Sequence, residues 1–168
     1  MRWFTLDRVD LDYGRTGPHR VCHAAVLDVP PARVFEVLTG DGWLEWFPDM
    51  RQIEWSPPRG VGGTRHVRLG HSEARERFLA WEPATRFAFS VERSTVRALK
   101  AILVDFRLTP IADGRRARVD LCWHYELRGA WRPLHFLVRR RFRVIVEAAL
   151  AGLEKFVNAR SVDRDMAG

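Results

Sequence analysis

From Pro133 to Arg160 the chain reads PLHFLVRRRFRVIVEAALAGLEKFVNAR. Leu134, Val138, Phe142, Ile145, Ala149, Leu153 and Phe156 recur at steps of four and three, the spacing that aligns one face of a helix. Arg140, Arg143, Glu147 and Glu154 fall on the opposite side. The rest of the chain runs largely on a period of two, in short segments broken by turn residues. One long helix closing a strand-rich body predicts a curved sheet wrapped around that helix. A hollow between sheet and helix is then the natural place for function.

Working backward from the helix, Arg116 to Leu127 alternates without a break. Ala117, Val119, Leu121, Trp123 and Tyr125 face one way; Arg118, Asp120, Cys122, His124 and Glu126 face the other. Such alternation predicts an antiparallel sheet with one wet face. Asp113-Gly114 is a hairpin turn joining this strand to Leu99–Thr109, which aligns Ile102, Val104, Phe106 and Leu108. Arg86–Arg93, Glu73–Trp81, Thr64–Leu69 and Gln52–Ser56 read as further strands, and Val21–Val29 as the first. Between the first strand and the rest lie two short helical patterns. One runs from Pro31 to Thr39, with Pro31 suited to a first helical turn; the other carries Trp43, Leu44, Trp46 and Phe47.

With 168 residues the chain suits one domain, large enough to bury a substantial core. We expect an N-terminal arm over 1–20, held by Trp3, Phe4 and Leu6, a domain over 21–160 and a flexible tail over 161–168. There is no signal-peptide pattern at Met1–Asp7 and no apolar run of membrane-spanning length, so a cytoplasmic protein is the expectation. In that compartment Cys22 and Cys122 read as reduced thiols within strands; a disulfide would require those strands to be neighbours. The net charge of +7 favours anionic partners. Yet Lys100 and Lys155 are the only lysines, which reads as the arginine bias of a GC-rich genome rather than a nucleic-acid footprint. The aromatic residues face the helix instead of alternating with cations on an exposed sheet, so nucleic acid is not an expected partner.

Several stretches resemble the START-related, birch-pollen-allergen-like superfamily known as SRPBCC, within it the bacterial polyketide cyclase/dehydratase and lipid-transport group. Val29-Pro30-Pro31-Ala32-Arg33-Val34-Phe35-Glu36-Val37-Leu38 is similar to its strand-to-helix junction, Trp46-Phe47-Pro48 to its second helix and Gly60-Val61-Gly62-Gly63-Thr64-Arg65 to its glycine turn. Glu76-Arg77-Phe78, Trp81-Glu82-Pro83 and Arg86-Phe87-Ala88-Phe89 are similar to its central hairpin, and Asp113-Gly114-Arg115 to the turn before its last strand. The resemblance implies an α+β helix-grip fold: seven curved antiparallel strands around a long C-terminal helix, with two short helices after the first strand. It also implies a cavity for a hydrophobic guest.

With the apolar faces inward, Leu27, Phe78, Phe89, Phe106, Leu121, Trp123 and Tyr125 meet Phe142, Ile145 and Ala149, and Ala149 and Gly152 leave room. His23, Glu76 and Tyr125 are the polar groups on the inward register, there to orient the guest. Were the protein a cyclase or dehydratase, the same three would supply acid and base, since a carboxylate or imidazole in an apolar pocket has a shifted pKa. A regulatory or toxin-like interaction module is the third class. The glycine turn lacks a following helix and a Lys-Ser or Lys-Thr pair, so it is not a phosphate loop. Cys22, His23, Cys122 and His124 do not converge as zinc ligands must. No cofactor or metal is implied; the expected partner is a hydrophobic small molecule, lipid or polyketide-like, held by a monomer or homodimer. Arg139, Arg140, Arg141 and Arg143 fan around the helix. Arg139 and Arg141 flank the apolar stripe, where they could reach over a cavity mouth and hold an acidic head group; a solvated face is the preferred reading.

Overall fold

The structure is a computed structural model that describes residues 2–165, with side chains to residue 159. In order, the elements are β1 (Phe4–Thr5), α1 (Tyr13–Thr16), β2 (His19–Leu27), α2 (Pro31–Thr39), α3 (Trp43–Trp46), β3 (Met50–Ser56), β4 (Thr64–Leu69), β5 (Ser72–Glu82), β6 (Arg86–Ser94), β7 (Leu99–Ile111), β8 (Arg116–Leu127) and α4 (His135–Asp165). The sheet is antiparallel and ordered β2-β8-β7-β6-β5-β4-β3, with β1 added beside β6. Chain neighbours from β3 to β8 are sheet neighbours, as tight turns between alternating strands dictate. Only β2 crosses over, passing through α2 and α3 before the meander begins.

The helix-grip architecture is present: the sheet curves around α4, whose Val146, Ala149, Leu150, Leu153 and Val157 are buried. Several boundaries differ from the sequence reading. The segment Gly129–Leu134 forms a 3-10 turn containing Pro133, and the α-helix starts only at His135. Leu134, assigned to the apolar stripe, is 39% exposed for that reason. The helix continues through residues 161–165, where the sequence reads as a tail; 166–168 lie outside the described residues.

The arm crosses the convex face of the sheet. Leu6 is buried, and Val9, Leu11 and Tyr13 cover Ala80, Ala88 and Leu103. This second small core shields His124, which alternation alone assigns to a wet face; it is 6% exposed. Asp105, also on that face, is buried between Arg86, which donates two hydrogen bonds of 2.9 Å, and Arg107.

The expectation of two reduced thiols is corrected. Cys22 and Cys122 form a disulfide between directly opposed positions of β2 and β8. The two strands lie about a hundred residues apart in the chain, and only sheet closure makes them neighbours. Gly152 serves a different purpose from the room-making expected of it: a Cβ there would collide with the Trp46 carbonyl oxygen. Its absence lets α3 rest directly on α4. Gly63 is required in the same way, since a Cβ would run into the Pro58 carbonyl.

Candidate functional site

Between α4 and the β4–β7 part of the sheet lies a cavity of about 610 Å³. That volume is within the range of small-molecule sites. Its apolar wall comes from Phe89, Val91, Ile102, Val104, Phe106 and Trp123 of the sheet, from Trp43 of α3 and from Phe142 and Ile145 of α4. The alternation of β6, β7 and β8 produces this wall, because every second side chain points at the helix. Its mouth is polar, formed by Asp49, Arg51, Gly70, His71 and Arg141.

Sheet and helix do not stand apart along their whole length. Phe142 packs edge-on against Trp123 and Tyr125, with ring centroids 5.0 and 4.8 Å apart. That contact brings sheet and helix together beside the cavity.

Two charged groups sit in the wall. Arg65 of β4 and Glu76 of β5 are directly opposed in the ladder and form an ion pair, Arg65 Nε donating to Glu76 Oε2. They are only 2% and 6% exposed. The guanidinium carbon lies 4.1 Å from the Trp43 ring centroid and 4.7 Å from that of Phe89, so aromatic faces replace much of its lost hydration. The buried Nη1 has no hydrogen-bond partner. Burial pushes the Glu76 carboxyl up and the Arg65 guanidinium down, each against the attraction of the other. A buried pair of this kind is seldom kept for stability, because desolvation offsets most of the Coulombic gain. A perturbed ionisable pair in a cavity wall makes these two residues candidates for a functional role.

Of the residues the sequence assigns to the site, Glu76, Phe89, Phe106, Trp123, Phe142 and Ile145 line the cavity. Leu27, Phe78, Leu121 and Ala149 are fully buried in the packed core beside it. Two polar assignments are corrected. His23 has the right parity, but β2 is the edge of the sheet and the imidazole is exposed away from the cavity. Tyr125 is fully buried outside the cavity, against Phe142 and His135; its hydroxyl has no partner, and burial raises its pKa. Arg65 is the residue the sequence reading overlooks. The hairpin register carries the missing signal: pairing Leu69 with Ser72 around the Gly70-His71 turn sets Arg65 opposite Glu76. Among the described residues no cluster of three or more His, Cys, Asp or Glu side chains could hold a metal ion.

A family model described as polyketide cyclase/dehydrase and lipid transport matches residues 18–157. An uncharacterized protein of Mycobacterium tuberculosis is 31% identical over 161 residues, covering 94% of this chain and 95% of its own. Among solved structures, a START superfamily protein from Mycobacterium smegmatis superposes with a TM-score of 0.70 at 10% identity, covering 84% of this chain and 98% of that one. The Zhui aromatase/cyclase from a Streptomyces species gives 0.65 at 20% identity, covering 83% and 95%. At these identities the structural matches bear on the fold.

Proposed function

Because this chain belongs to the polyketide cyclase/dehydrase and lipid transport family, we propose that it binds a hydrophobic or aromatic small molecule, lipid or polyketide-like, in the cavity between sheet and α4. The observation that carries the reading is a large apolar hollow with a single buried ion pair in its wall. Apolar burial, about 25 cal/mol for each Å² removed from water, supplies the affinity. The Arg65–Glu76 pair in the wall supplies direction, favouring a guest that carries a carbonyl, carboxylate or phenolate oxygen. Native mass spectrometry of the purified protein tests this. A stoichiometric small-molecule adduct supports it, and a bare chain that takes up no lipid or polyphenol on incubation counts against it.

A second reading is favoured by Glu76 alone: a cyclase or dehydrase step in which this carboxylate removes a proton from carbon next to a carbonyl held by Arg65. Burial raises the carboxyl's pKa against the attraction of Arg65, which strengthens it as a base. Glu76→Gln then abolishes turnover and spares guest affinity, whereas parallel loss of both argues for binding alone. His23 and Tyr125, outside the cavity, have no part in either reading.

A further inference from the structure

Between Glu126 and Glu147 the chain carries six arginines and no carboxylate. This stretch holds the 3-10 turn and the first three turns of α4. Its outward side is apolar as well as basic: Phe136 is 64% exposed, Leu137 52% and Val144 53%. Leu137 and Val144 are two helical turns apart on one line, with Arg140 and Arg141 to either side. Among the described residues, none of Arg139, Arg140, Arg141 and Arg143 forms an ion pair. A solvated arginine face has no use for exposed Phe, Leu and Val side chains, whose hydration is unfavourable.

A second feature adjoins this face. Arg139 and Arg143 of α4 line a cleft of about 170 Å³ together with Arg20, Val21 and Cys22 of the edge strand β2. Two unpaired arginines at the edge of the sheet, with no carboxylate in the lining, make a place for a phosphate-sized anion. On the other flank, Arg141 belongs both to the basic face and to the cavity mouth.

We propose that this face of α4 docks the protein on an anionic phospholipid surface. Phe136, Leu137 and Val144 enter the headgroup boundary, the flanking arginines contact lipid phosphates, and one headgroup phosphate occupies the cleft beside Arg139 and Arg143. The chemistry favours a bilayer over an acidic protein because cations and apolar side chains alternate around one helix face, as at an interface where headgroups lie above acyl chains. Docking brings the cavity mouth to the membrane, from which an apolar guest can enter without crossing water. Docking itself does not depend on a guest; its part in loading the cavity rests on the function proposed above.

Flotation of the full chain with vesicles tests the proposal, using phosphatidylcholine alone or mixed with phosphatidylglycerol. The expected result is binding to the mixed vesicles that weakens with salt, and none to phosphatidylcholine alone. Arg140→Glu with Arg143→Glu should weaken it about tenfold or more. Leu137→Ser with Val144→Ser should weaken it as well, while both variants keep wild-type affinity for anilinonaphthalene sulfonate as a cavity probe. Failure to float overturns the proposal. So does binding that ignores the Leu137 and Val144 changes and is matched by polyglutamate, since that describes a site for any polyanion. Flotation without probe binding upholds docking and removes the cavity reading instead.

Discussion

Arg65 and Glu76 pair across β4 and β5 inside the wall of the cavity, where solvent reaches neither to any useful extent. A charge pair at that depth contributes little net stability while intact and costs much when halved. The single variants Arg65→Met and Glu76→Leu should each lower unfolding stability by about 3–5 kcal/mol, because each leaves a buried charge alone. Combined, they should recover most of that loss. Denaturant titration of the four proteins closes the cycle; additive losses would show that the two groups do not interact.

The same double variant separates folding from recognition. With the ion pair replaced by apolar groups, a purely apolar guest should bind as well as before or better. A guest with an acidic or carbonyl oxygen should lose about tenfold, the worth of one charge-assisted hydrogen bond. Calorimetric titration with a fatty acid and with its hydrocarbon analogue makes the comparison.

Much of the scaffold was legible from alternation and turns. Thr64–Leu69 and Arg116–Leu127 appear where the sequence reading places them, because Gly70 and Asp113-Gly114 end strands whose faces are cleanly divided. The site was less legible. His23 has the right parity and the wrong place, since parity says which face a residue takes and nothing of how far the sheet extends beyond it. Arg65 escapes the sequence pattern because an arginine between Thr64 and His66 looks solvated until the hairpin register sets a carboxylate against it. The Cys22–Cys122 bond was out of reach, because it depends on β2 joining β8 across the whole meander.

That disulfide encloses a loop with a sequence separation of 100. Cys22→Ser with Cys122→Ser should lower stability by about 2–4 kcal/mol, chiefly by freeing the unfolded chain. Guest affinity should be unchanged, because neither sulfur lines the cavity. Equal denaturation midpoints with and without reductant would show that the bond does not form.

Gly152 carries the contact between α3 and α4. Gly152→Ala forces the Trp46 carbonyl away, and overpacking of this kind costs about 1–3 kcal/mol. Because Trp43 of α3 lines the cavity and stacks on Arg65, the change should weaken guest binding as well. A stability loss with intact affinity would mean that α3 positions nothing in the site.

His124 under the arm has its pKa lowered from 6.5, chiefly by burial; His19 is lowered too, chiefly by burial and then by neighbouring His135. The unfolded chain takes up protons near 6.5 that the native chain resists. Stability is therefore full above 6.5 and falls as the pH drops below it. Glu76, pushed up by burial, works in the opposite sense, so the comparison is made between wild type and His124→Gln. Denaturation midpoints on either side of 6.5 should show a shallower acid loss in the variant; identical slopes would assign the loss to other groups.

The central claim is that a guest occupies the hollow between Trp123, Phe142 and the Arg65–Glu76 pair. Fluorescence titration with anilinonaphthalene sulfonate, an aromatic anion suited to that hollow, tests it most directly when wild type is compared with Ile145→Trp, which fills the cavity from α4. One probe should bind saturably per chain in the wild type, and binding should be lost in the filled variant. Binding of equal strength in both would place the probe on the surface and leave the hollow without a guest.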